Sequence, residues 1–337
     1  MRAIENERGS VLVFATLLIV LLLIMVGMGL DTGQLTYVRS QGQTAVDAAA
    51  LTAASGLPIG ASEVTGRVDD FNSTNNYVES STNFIDSSNI TYVQYNDSSG
   101  AIVDLPDSTG ANGVRVALEQ KNPYTDAASG TGITTPVFLT PLLNLFGSAA
   151  PAKADISVSA VAVLKALPGI PIAIMTKVCN GSSTVPDVML RQTDATVDNS
   201  CWTTYTDNPP SAEAVQELFG KSATCSDLPA QSDLVTIGTL IELNNGQQAS
   251  TYEEAKDLFL APQNVDKCWI VPVIPNSTKC NQSDPILGWA TICPTEVEKS
   301  GSPKYIKANV TCNQNLFATK DNLCFSPRLV RDTKSGM

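Results

Sequence analysis

Twenty consecutive positions, Val11 to Leu30, carry no charge and scarcely a polar side chain. At 1.5 Å per residue such a run covers about 30 Å, the thickness of a bilayer's hydrocarbon core. The pattern then changes without a break. Residues 31–57 (DTGQLTYVRSQGQTAVDAAALTAASGL) contain no proline and are dense in alanine, the best helix former. Residues 11–57 are therefore predicted as one continuous helix, a rod of about 70 Å with an apolar first half and a second half of small side chains. Leu35, Val38, Gly42, Ala45, Ala49 and Gly56 recur mostly at three- and four-residue steps and form a narrow seam along it. Gly29-x-x-x-Gly33 opens the same theme at the end of the apolar run, where small residues let helix backbones approach closely. Two partners suit the seam: the chain's own sheet, or helices of neighbouring subunits.

Beyond the rod the periodicity shortens. Gly56–Gly60 (GLPIG) stops the helix with paired turn residues, and residues 61–89 read as a short helix followed by loop. Ile90–Tyr95 and Ala101–Leu105 flank a turn and predict a β-hairpin; Gly113–Glu119 alternates with period two and predicts the next strand. Thr135–Gly147 has apolar residues at helical spacing, and Ala154–Leu164 alternates again. After Pro168 come short strand-like pieces, clearest at Ile170–Met175, Leu234–Leu243 and Trp269–Ile274, with short helices at Ser211–Gly220 and Thr251–Leu260. The fold class expected is α+β in three parts. Residues 1–57 form the membrane-spanning and alanine-rich rod, residues 58–167 a small antiparallel-sheet domain covered by that rod, and residues 168–337 a disulfide-rich, mainly β ectodomain.

A cleaved secretory signal is the competing reading of the N-terminus. Signal h-regions run about 7–15 residues and end at a small-x-small site, whereas this run is longer and continues into Leu35, Tyr37 and Val38. Arg2 and Arg8 precede the span and only Arg39 follows closely, so the positive-inside rule puts the remainder of the chain on the exported side. Cysteine usage agrees. Cys179, Cys201, Cys225, Cys268, Cys280, Cys293, Cys312 and Cys324 all fall in the last part, an even number that predicts up to four disulfides in an oxidising compartment. Spacing alone does not choose the pairing; if one local loop forms, it is expected at Cys312–Cys324.

Function classes narrow by composition. The chain has no histidine and no C-x-x-C pair, which removes the usual zinc, haem and imidazole-triad signatures, and no metal or cofactor is expected. A net charge of −12 argues against nucleic acid as partner. Acid dominates residues 58–165, with eleven Asp/Glu against five Lys/Arg, while residues 299–337 hold seven Lys/Arg against two Asp. Without histidine an enzyme would have to use paired carboxylates, for example Glu253 with Glu254 or Asp194 with Asp198, and acidic pairs on a chain of this charge are usually solvated. Trp202, Trp269 and Trp289 are either core residues or contacts for a surface or carbohydrate ligand. Seven N-x-[ST] sequons occur; Asn72, with Asp70 two places before it, is the candidate glycosylation site.

Three stretches together resemble a known family. Arg8-Gly9-Ser10 precedes the apolar run, Gly29-Leu30-Asp31-Thr32-Gly33 closes it, and Val46-Asp47-Ala48-Ala49-Ala50-Leu51 follows. The whole is similar to Tad/Flp pilus-assembly proteins of the TadE-like and TadG-like kind, specifically over residues 8–56 and more loosely over 57–165. The resemblance implies a non-enzymatic pseudopilin or minor pilin, anchored in a bacterial inner membrane or carried on a pilus, whose partners are the membrane and other pilin subunits. It also implies Gly9 and Ser10 as a candidate processing site. Type IV prepilins keep a glutamate at the fifth mature position; with cleavage after Gly9 that position is Phe14, a departure that TadG-like members share.

Overall fold

A computed structural model describes residues 5–74, 85, 87–118, 133–138, 153–179, 183–192, 199–205, 211–221, 234–244, 249–264, 266–276, 280–314 and 323–332. The rod is a single helix, α1 (Glu5–Gly56), whose 52 residues reach about 78 Å. It ends where predicted: Leu57–Ile59 form a turn, and Gly60 (φ +132°) takes a conformation that glycine supplies at no steric cost. The chain then doubles back into α2 (Ala61–Thr74), whose Val64 and Val68 are buried. Gly56 is required at that crossing, because a Cβ there would lie 2.9 Å from the backbone nitrogen of Val64.

The expected hairpin forms from β1 (Ile90–Asn96) and β2 (Ala101–Leu105), with Val93 opposite Asp104. β3 (Gly113–Leu118) pairs with β1. The helix expected at 135–147 does not begin as one: residues 133–136 are a strand, β4 (Ile133–Pro136), paired with β5 (Lys153–Ile156) in a separate two-stranded ribbon. Thr135 and Pro136 are taken by ladder pairing, which overrides the helical spacing; residues 139–147 lie outside the described residues. The strand expected at 154–164 divides at Ser157 between β5 and β6 (Val158–Pro168), so that β6 alone joins β3.

The second half builds an eight-stranded sheet from β7 (Ile172–Met175), β8 (Thr184–Leu190), β9 (Ser200–Tyr205), β10 (Leu240–Asn244), β11 (Trp269–Ile274), β12 (Ser283–Pro285), β13 (Gly288–Glu298) and β14 (Tyr305–Gln314). Their order is β12-β10-β9-β7-β11-β13-β14-β8, antiparallel except for the β7–β11 pair. Helices α3 (Ala212–Lys221) and α4 (Ala249–Phe259) cover one face. Trp202, Phe219, Tyr252, Phe259 and Trp269 meet there mostly edge-on, with centroids 4.9–6.2 Å apart. Trp289 is buried as well, so all three tryptophans belong to the core.

Residues 168–337 do not stay in that sheet. The last strand, β15 (Leu323–Val330), returns to the first sheet and pairs along β6 from Leu323 opposite Pro168 to Val330 opposite Val161. The five-stranded order is β15-β6-β3-β1-β2. The two sheets share one apolar core that runs from Val46 and Ala53 of the rod to Met175, Ile241 and Trp289. They are also joined by hydrogen bonds: Ala166 exchanges backbone bonds with Val235, and Asn112 donates to Thr236 Oγ1 at 2.8 Å. Lys165 Nζ meets Asp97 at 2.8 Å.

Three disulfides pin the second sheet: Cys179–Cys312, Cys201–Cys280 and Cys268–Cys293. The Cys312–Cys324 pairing is thus ruled out. Cys312 sits on β14 in one sheet and Cys324 on β15 in the other, so nearness in sequence is not nearness in space. Cys225 lies outside the described residues. Closing 133 residues restricts the unfolded chain more than closing 25. Replacing Cys179 and Cys312 by serine should therefore cost about 5 kcal/mol, against about 3–4 kcal/mol for the Cys268/Cys293 pair, in the loop-entropy account. Guanidinium titrations followed by tryptophan fluorescence would read both.

Candidate assembly surface

Three stretches of α1 have three different surroundings. From Val11 to Leu30 apolar side chains point outward on every side; Phe14 is 70% exposed and Leu30 58%. This helix is apolar all round, is covered by nothing among the described residues, and is long enough to span a bilayer. From residue 42 onward the helix is embedded instead. Ala45, Val46, Ala49, Ala50, Ala53 and Ala54 are completely buried, in contact with α2 and with a sheet face made by Val114, Val116, Leu118, Ala160, Ala162 and Leu164. Alanine at these positions lets the helix backbone lie close to β3 and β6. A Cβ on Gly42 would run into the Ile133 side chain.

The middle stretch, residues 31–41, is half free. Gly29 and Gly33 have open space beside them, Tyr37 is 62% exposed, and Leu35 and Val38 are partly buried against the core. The seam read from the sequence is therefore split: Gly42, Ala45 and Ala49 face the chain's own sheet, while Gly29 and Gly33 face outward. Gly9 and Ser10 lie in the first turns of the helix.

Asp31 has a role that its position after the apolar run did not announce. It is only 8% exposed, and its carboxylate accepts the backbone N–H of Phe138 at 2.6 Å. Gln34 donates to Thr135 Oγ1 at 3.1 Å one turn further along. Asp47, half-buried, accepts from Gln43, which also donates to the Ser159 carbonyl at 2.9 Å. These two residues line a cavity of about 220 Å³ that reaches Ser159 and Asp332.

On the sheet face turned away from the rod lies a buried ion cluster. Arg115 of β3 meets Asp332 (Nε to Oδ2, 3.0 Å) and also Asp104 of β2, while Ser159 Oγ donates to Asp332 at 2.8 Å. Burial works against the Arg115 charge, but the hydrogen bonds and charges of the two aspartates more than offset it and hold its pKa above the ordinary value. Nothing in the sequence signalled this: Arg115 sits on the polar phase of the alternation of Val114, Val116 and Leu118, where a solvated charge is ordinary.

The remaining sequence candidates scatter. Glu253 is exposed and paired with Lys299, Glu254 is exposed, and Asp194 and Asp198 lie outside the described residues. Asn72 lies inside α2 with its amide on the Ile85 carbonyl, and Asn89 is buried with its amide on the Ala117 carbonyl at 2.9 Å. Among the described residues no cluster of carboxylates and cysteines could hold a metal ion.

Residues 9–56, which correspond almost residue for residue to α1, match the Tad family model of TadE/G-like Flp pilus-assembly proteins. No curated protein and no solved structure matches the chain. Over residues 9–56 the chain is thus similar to TadE/G-like Flp pilus-assembly proteins, and that stretch lies on a helix long and apolar enough to cross a membrane.

Two substitutions separate the contacts just described. Ala49→Leu forces a larger side chain between rod and sheet and should destabilise the fold by about 1–3 kcal/mol. Asp332→Ala leaves a buried guanidinium short of a partner and should cost about 3–5 kcal/mol, whereas the Arg115→Met/Asp332→Leu double variant should recover most of it. Thermal denaturation of the detergent-solubilised protein measures both.

Proposed function

We propose that this chain is a membrane-anchored, pilin-like structural subunit of a Tad/Flp pilus or secretion apparatus, with residues 31–337 on the exported side of a bacterial inner membrane. One observation carries the reading: a single unbroken helix is bare and apolar where it would cross lipid and locked into a sheet where it emerges. The rigid junction transmits the orientation of the anchor to the body. Disulfides in the body suit an oxidising compartment, and Arg2 and Arg8 ahead of the span suit an inward N-terminus.

The open stretch around Gly29, Gly33 and Tyr37 is the part of the rod on which another helix can pack, because the embedded stretch is already filled. Partners are then other pilin-like subunits or further copies of this chain. The role is structural, with no catalytic step. An adhesive role that uses tryptophans as contacts has little support, since all three are buried.

Two measurements test the proposal. N-terminal sequencing with intact mass compares sheared surface material with inner membrane. A chain that starts at Ser10 in the sheared fraction identifies a processed filament subunit, a chain that starts at Met1 and stays in the membrane identifies an assembly factor, and a start beyond Gly33 removes the anchor and sinks the reading. Gly33→Leu should leave the stability of the isolated chain unchanged to within the scatter of surface substitutions, about 0.5 kcal/mol, yet reduce recovery of partner subunits in cross-linked complexes. Unchanged cross-linking would take this face out of assembly.

A further inference from the structure

The ribbon of β4 and β5 runs alongside the rod in a definite direction. Ile133 abuts Gly42, Thr135 accepts from Gln34, and the N–H of Phe138 is held by Asp31. From residue 133 to 138 the chain thus descends along α1, antiparallel to it, through eleven helical residues, or about 16 Å. It arrives beside Asp31, the first charged residue after the uncharged run that ends at Leu30. The return strand starts at Lys153, which is exposed and paired with Pro136. The tip formed by Val137 and Phe138, just past β4, is therefore level with the end of the apolar stretch.

The chemistry of the tip fits that level. Phe138 is 60% exposed while its backbone N–H is held by Asp31, so its ring is displayed outward at a fixed point beside the rod. Aromatic rings favour the headgroup zone, about 5–7 Å deep on each side of the hydrocarbon core. The Asp31 contact makes sense there as well. A carboxylate at a membrane border is costly unless hydrogen-bonded, and the Phe138 N–H supplies a bond that lipid cannot.

We propose that the tip of the β4–β5 ribbon is a second membrane contact: Phe138, with Val137 beside it, rests in the lipid headgroup region next to the emerging helix. The occupant of this apolar tip is the bilayer surface itself. Two points of contact fix the tilt of the rod, which one helix alone leaves free. The inference rests on the anchoring role of residues 11–30 proposed above, and the test separates the two.

Full-length protein is reconstituted into phosphatidylcholine vesicles that contain lipids brominated either near the headgroup end or near the end of the acyl chain. Phe138→Trp reports the tip, Leu21→Trp the middle of the span, and Val103→Trp, on the exposed edge strand β2, the water phase; the native tryptophans are buried and form a constant background. The expected result is that bromine near the headgroup removes roughly half of the added emission of F138W and little from V103W, as befits an aromatic ring at the interface. Bromine at the chain ends should quench L21W most. Quenching of F138W by aqueous iodide but not by lipid overturns the proposal, and so does protection from both, which would mean that protein covers the ring. If L21W is quenched and F138W is not, the tip proposal falls while the anchor stands. If neither is quenched, the anchor reading falls and takes the tip with it.

Discussion

Everything beyond the apolar stretch of α1 is oriented by the contact between the alanine face of that helix and the sheet made by β3 and β6. That contact works because both sides are narrow. Ala45, Ala49, Ala50 and Ala53 present methyl groups, Ala160 and Ala162 answer with methyl groups, and the valines of β3 fill what is left. Small side chains lose little conformational entropy on burial, and close approach multiplies dispersion contacts. A rod with leucines here would stand further off, and the sheet could no longer close over it. The apolar first half obeys the opposite demand, with bulky side chains facing outward and no partner within the chain.

The other contacts supplement this one in order of distance. α2 folds back over the end of the rod through the Gly56 crossing, the β4–β5 ribbon follows the rod downward, and β15 completes the sheet behind it. The Arg115 cluster then holds the opposite sheet face, which no helix among the described residues covers. It ties the hairpin through Asp104 and the final residues through Asp332 to one guanidinium.

Local pattern was legible in the sequence; distant pairing was not. The rod, its stop at Gly56–Gly60, the hairpin, and the strands at 113–118 and 269–274 all follow from periodicity and turn residues within a dozen positions. What escaped depends on partners far along the chain. Thr135 and Pro136 have a helical spacing but are claimed by a strand that begins at Lys153. Asp31 follows the apolar run as a solvated carboxylate would, yet it is buried by a segment more than a hundred positions away that brings the Phe138 N–H to it. Cys312 is twelve positions from Cys324, yet it bonds to a cysteine 133 positions away, because two sheets divide what the sequence keeps together. The Tad signature is legible for the converse reason: residues 9–56 form one helix, and a helix carries its pattern locally.

The return of β15 to β6 has a consequence for durability. The chain enters the eight-stranded sheet from Pro168 and leaves it to rejoin the first sheet at Leu323, directly opposite, and Cys179–Cys312 closes the neck between them. The projecting body is thus a loop whose two roots are both held. A protease that cuts once between residues 180 and 311 sheds nothing. One fragment stays on the rod by its own backbone, and the other stays through the disulfide, the β6–β15 ladder and the grip of Arg115 on Asp332. A body held at both roots can be nicked in this way and still remain whole.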